Sequence, residues 1–274
     1  MTSFPSVPLP VVSNDIVQAL ISAVSVVQKL RSPDGGCPWD LKQTHVSLRP
    51  YMLEEAYETV AAIDEAKPDA LRDELGDVLL QVLLHAQVAK DNGDFDLADV
   101  AQGLADKLIR RHPHVFTEAA QLDSPEAVTA QWQSIKEEEG SKSIWEKPPN
   151  YLPALMLADK VSMAAVKEGF KWPDFETLWA CVLSEVDELR EAIESSTLEH
   201  QEEELGDLFF ALVSLAGAMK LNPEVALSKA TNKFLKRYRS LRDTCDKPIS
   251  DYSFQELDTK WREAKLRTGA SKTV

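Results

Sequence analysis

Eight carboxylates in two matched sets carry most of the chemistry this chain can do. Glu55, Glu58, Glu74 and Asp77 are separated by three, sixteen and three residues, and Glu185, Glu188, Glu204 and Asp207 repeat those intervals 130 residues later. Leu75-Gly76 stands between the last two acids of the first set, and Leu205-Gly206 between those of the second. A lone E-x-x-E is ordinarily solvated helix surface, but the shared insert and intervals point to duplication of a site. Neither set contains a histidine or cysteine. An all-carboxylate donor set suits a hard divalent cation, Mg²⁺ with Mn²⁺ as the alternative, and argues against zinc. Two carboxylates 4 Å apart repel by about 4 kcal/mol at an effective dielectric near 20, so such a cluster requires counter-charge.

The elements that must position these acids read as helices. Residues three apart share a helix face, which puts Glu55 and Glu58 with Leu48, Tyr51 and Ala62, and Glu185 and Glu188 with Leu178, Cys181 and Ala192. Glu74 and Asp77 lie beside the stripe of Leu71, Leu75, Val78, Val82 and Ala86. Acids within an apolar stripe face inward, where an unpaired carboxylate is strongly disfavoured. The sixteen-residue interval fits two antiparallel helices joined by a short turn.

Apolar spacing of three and four predicts helices over 16–30, 47–66, 69–90, 97–111 and 128–139, with a loop over 32–40. The expected fold class is all-α. Gly36-x-x-Trp39 precedes the first acid set and Gly169-x-x-Trp172 the second. Lys107-Leu108-Ile109-Arg110-Arg111 and Lys233-Phe234-Leu235-Lys236-Arg237 follow, and each copy closes with W-x-x-x-K at Trp132/Lys136 and Trp261/Lys265. Two diverged copies of one helical unit account for this order. The expected boundaries are a disordered leader over 1–14, a first helical domain over 15–139, a linker over 140–153 rich in proline (Pro148, Pro149, Pro153), and a second domain over 154–274.

Composition narrows the partners. A net charge of −15 argues against a nucleic-acid polymer. The absence of any apolar run near 18 residues argues against a membrane span. The leader lacks the positive start of a signal peptide. Three scattered cysteines suit neither a disulfide framework nor a zinc site, so cytosol is the expected compartment. Lys107, Arg110 and Arg111, and Lys233, Lys236 and Arg237, each present cations on one helix face. Cations beside bound metal in so acidic a protein suit a polyphosphate. His112 and His114 flank a helix-ending proline and read as structural; Trp132 and Trp261 read as core, with base stacking the alternative.

Gly36-Cys37-Pro38-Trp39-Asp40, Gln43-Thr44, Tyr51 to Glu58 (YMLEEAYE), Asp73 to Asp77 (DELGD) and Arg110 to Phe116 (RRHPHVF) together resemble the MazG family of nucleoside triphosphate pyrophosphohydrolases. The resemblance covers nearly everything after residue 14. It implies helical hairpins assembling into four-helix-bundle cores, commonly through a homodimer, and Mg²⁺-dependent cleavage of an NTP into NMP and pyrophosphate for nucleotide-pool housecleaning. Carried over, the E-E-x-x-E…E-x-x-D metal motif falls on Glu54, Glu55, Glu58, Glu74 and Asp77, and again on Glu185, Glu188, Glu204 and Asp207. Glu54, beside the ligands, is the expected proton acceptor. The family's K-x-x-x-R phosphate pair falls on Lys233 and Arg237, matched in the first copy by Lys107 and Arg111, and its late tryptophan on Trp261. The second copy departs from the pattern at Ser184, Thr231, Cys181 and His200, while in tandem relatives activity is tied to that copy. A non-catalytic nucleotide-binding scaffold is the alternative reading. A di-iron carboxylate bundle is disfavoured, because no histidine follows a glutamate by three.

Overall fold

The computed structural model describes residues 8–118, 122–140 and 142–269, and among them every regular element is helical. The chain divides into two compact units, Met1–Ser141 and Lys142–Val274. The expected leader lies partly outside the described residues, over 1–7.

In the first unit, α1 (Asn14–Leu30) is followed by a tight loop and a single helical turn, α2 (Pro38–Leu41). The sequence pattern predicts only loop there; Pro38, pre-set for the first turn, starts the short helix instead. The loop is held from inside by Arg31, which bonds Asp91 and the backbone carbonyls of Asp40 and Gln43. A Cβ on Gly36 would sit 2.3 Å from the Ser32 carbonyl oxygen, so only glycine fits that close backbone approach.

The central hairpin is α3 (His45–Glu65) and α4 (Pro68–Asn92). Thr44 and Ser47 form a capping box that fixes the start of α3. The chain turns at Ala66, whose φ of 54° is left-handed, and re-enters a helix at Pro68. Gly93, at φ 79°, closes α4. Leu48, Leu83, Leu84 and Val88 pack with Val27 of α1 at the open end of this hairpin. That core clamps the two helices far from the turn and leaves their middle to the acids. The unit finishes with α5 (Leu97–Arg111), the turn α6 (Pro113–Phe116) and α7 (Pro125–Glu138).

The second unit rebuilds the hairpin from α9 (Phe175–Ser195) and α10 (Leu198–Ala218), preceded by α8 (Ala154–Lys167). Asp174 and Thr197 cap its two helices. Leu178, Val182, Ala211 and Leu215 form its core, again at the open end. Ser162 of α8 and Ser214 of α10 share a 3.0 Å hydrogen bond. Then come α11 (Pro223–Arg242), a 3₁₀ turn at Ile249–Asp251 and α12 (Phe254–Gly269), packed against α11.

Candidate metal centre

Each hairpin brings three of its four acids together. In the first, one carboxylate oxygen from each of Glu55, Glu58 and Glu74 lies within 4.8 Å of the others; in the second, Glu185, Glu188 and Glu204 do the same. The burial pattern is identical, with Glu55, Glu74, Glu185 and Glu204 half-buried and Glu58 and Glu188 exposed. Asp77 and Asp207, expected as ligands, stand outside these clusters and are exposed. Asp77 is nonetheless close enough that its charge acts on Glu55 more strongly than that of any other neighbour.

The clusters are electrostatically uncomfortable as they stand. Partial burial, then the charges of Asp77, Glu58, Glu54 and Glu74, push the Glu55 carboxyl above its ordinary pKa. Glu74 is raised by burial and by Glu58, and Glu185 by burial and by Glu188. Among the described residues, Glu74 Oε2 is buried with no hydrogen-bond partner. A buried acceptor left unsatisfied beside two further carboxylates is the environment a divalent cation relieves, and all-oxygen donors match Mg²⁺ or Mn²⁺. The residues fit such an ion.

The surroundings of the two clusters differ. Glu54 is exposed beside the first, whereas its counterpart Ser184 donates a 2.7 Å hydrogen bond to Glu188. Cys181 Sγ lies 3.7 Å from Glu185 Oε1, and His200 Nδ1 lies 3.5 Å from Glu204 Oε1. A cavity of about 350 Å³ lined by Val24, Val27, Leu83, Ala86, Leu97 and Ala101 includes none of these acids.

The basic helices also diverge. Lys107 and Lys233 are exposed. Arg111 donates from Nε and Nη2 to Glu139 Oε2 at 3.1 and 2.6 Å, and Arg110 Nε reaches Glu139 Oε1 at 2.5 Å. The Arg111 guanidinium also lies 5.2 Å from the Trp132 ring centre, and His112 meets that ring edge-on. In the second unit Arg237 Nε is buried without a hydrogen-bond partner among the described residues, and Trp261 packs on Phe234, 5.2 Å between ring centres. Glu139 escapes sequence reading because it ends an acidic run that looks solvated. Its only advance signal is that such a run at a helix C-terminus opposes the helix dipole.

Two all-α units, each holding a carboxylate cluster in a helical hairpin, define a tandem helical-hairpin protein with a duplicated acidic site. A family model described as the MazG nucleotide pyrophosphohydrolase domain matches residues 43–116 and again 174–242. The chain is 44% identical over 249 residues to the Thermotoga maritima nucleoside triphosphate pyrophosphohydrolase/pyrophosphatase MazG, covering 88% of this chain and 94% of that protein. It is 41% identical over 224 residues to the Escherichia coli K12 nucleoside triphosphate pyrophosphohydrolase, covering 80% and 85%. It is also 42% identical to the uncharacterized protein YabN of Bacillus subtilis, over 88% of this chain and 50% of that one. The chain belongs to the MazG family.

Proposed function

We infer that the protein hydrolyses nucleoside triphosphates between the α and β phosphates, giving a nucleoside monophosphate and pyrophosphate. The observation that carries this reading is the duplicated three-glutamate cluster with its unsatisfied buried oxygen on Glu74. It is supported by membership of a family whose relatives are named for that activity.

Glu55, Glu58 and Glu74, and Glu185, Glu188 and Glu204, would hold Mg²⁺, with Mn²⁺ able to substitute. Asp77 and Asp207 complete each set from the edge. The bound ion supplies neutralisation of phosphate charge and a water of lowered pKa. Glu54, next to its cluster and not among the three convergent acids, takes the proton of the attacking water. Lys233 and Arg237 are the cations for the triphosphate tail, and their charge stabilises the leaving pyrophosphate; Lys107 and Arg111 stand at the matching positions of unit 1. Trp261 offers a flat apolar surface at the end of the second set.

The reading includes a homodimer. Leu53, Tyr57, Leu75 and Leu79 on one hairpin, and Leu183, Val186, Leu205 and Phe209 on the other, are exposed apolar side chains that a second chain would cover. Among the described residues no helix is long and apolar enough to cross a membrane, and the three cysteines are free, which suits the cytosol.

The test is hydrolysis in ¹⁸O-labelled water with the purified chain, an NTP and Mg²⁺. The label should appear in the monophosphate, and chelation should stop the reaction. Release of a diphosphate and inorganic phosphate would overturn the reading.

A further inference from the structure

We propose that unit 1 carries a second pyrophosphate site which the chain itself occupies, the carboxylate of Glu139 standing on Arg110 and Arg111 where the matching arginine of unit 2 offers its guanidinium to a phosphate. The proposal rests on the reading above, in which Lys233 and Arg237 receive the triphosphate tail.

The repeat makes the comparison direct. Lys107 and Arg111 match Lys233 and Arg237, and Trp132 matches Trp261. Arg111 and Arg110 donate from three nitrogens to the two oxygens of Glu139, the fork geometry with which arginines grip a phosphate as readily as a carboxylate. Arg111 is further fixed over Trp132, and its side chain is only 16% exposed. In the second unit, the residue seven after Trp261 is Thr268 rather than a glutamate, and its hydroxyl turns back to the Ala264 carbonyl. Arg237 Nε is then buried with no partner among the described residues. Unit 1's arginines are held by a carboxylate of their own chain, whereas among the described residues no carboxylate pairs with Arg237.

The location of Glu139 points the same way. It caps α7, whose last turn also holds Glu137 and Glu138. Negative charge there opposes the helix dipole, so the two arginines supply the interaction that keeps it in place. Hydrogen bonds from Arg111 and then Arg110 lower the Glu139 pKa to about 2. Protonation at physiological pH therefore does not free the arginines; a competing anion or a movement of the α7 end would.

Calorimetric titration of the full chain with inorganic pyrophosphate in excess Mg²⁺ tests this. The wild type should take up one pyrophosphate per chain, Glu139→Gln two, and Glu139→Gln combined with Arg111→Gln one again. Two sites in the wild type, or one in a folded Glu139→Gln protein, overturns the proposal. No uptake by the wild type instead sinks the reading of Lys233 and Arg237 as phosphate ligands. Should Glu139→Gln lose helicity, Glu139→Ala takes its place. An indole NMR signal assigned through Trp132→Phe adds a second readout. It should move with pyrophosphate only when Glu139 is replaced, and movement in the wild type contradicts a self-occupied site.

Discussion

Glu74 is the residue on which the metal assignment turns, because its Oε2 is buried without a partner among the described residues and its carboxylate converges with those of Glu55 and Glu58. Glu74→Gln should weaken Mn²⁺ binding, read by electron spin resonance, by more than about tenfold, since even residues behind the ligands carry effects of that size. Glu54 has a different role in the proposal, so in a Glu139→Gln background, where the unit 1 arginines are released, Glu54→Gln should bind metal normally and remove the pyrophosphate release that Glu139→Gln adds; unchanged turnover removes it as the proton acceptor. The acids were legible in the sequence because a helix converts spacing directly into a shared face, and duplication doubled the signal. Which three oxygens of each set lie closest together was not legible. Spacing places Asp77 one turn beyond Glu74, but only the crossing of α3 and α4 decides which oxygens converge.

At the scale of helices, the hairpin turn carries an avoidable strain. Ala66 adopts φ 54°, which costs an L-residue with a side chain roughly 1–2 kcal/mol relative to glycine. Ala66→Gly should raise the melting temperature by a few degrees, the gain being trimmed by glycine's larger chain entropy when unfolded. The open end of the same hairpin holds a different device. His45 and His85 share an Nδ1–Nδ1 hydrogen bond of 2.8 Å with stacked rings, and burial followed by His45 lowers the His85 pKa. A depressed histidine stays neutral in the fold while the unfolded chain takes up a proton. Its contribution is therefore complete above the ordinary value of 6.5 and is lost as pH falls below it. Melting curves should show the wild type losing stability between pH 7 and 5.5 more steeply than His85→Gln, an approximate window set by ordinary histidine titration. Helix limits were readable from apolar period and breaker residues. The His45–His85 pairing was not, because forty residues separate its members and neither stands in a motif.

Across the whole molecule, duplication followed by divergence leaves the two units with different residues and contacts at matching positions. Unit 1 keeps the fuller acid motif, with Glu54 intact, but its arginines are engaged by Glu139. Unit 2 has Ser184 in place of that glutamate, yet its Arg237 is unengaged at Nε. If capture of the triphosphate limits turnover, Glu185→Ala should abolish pyrophosphate release while Glu55→Ala leaves most of it, measured on intact protein. The reverse result would place the chemistry in unit 1. The tandem plan was plain in the sequence because motifs recur in order, whereas the asymmetry between copies lay hidden in a contact spanning 28 residues. That contact has a quantitative side. A carboxylate tethered to its own binding partners acts at an effective concentration on the order of millimolar or above. Free phosphate at micromolar levels would therefore rarely displace it, and the first arginine pair would ignore the everyday fluctuation of small anions around it.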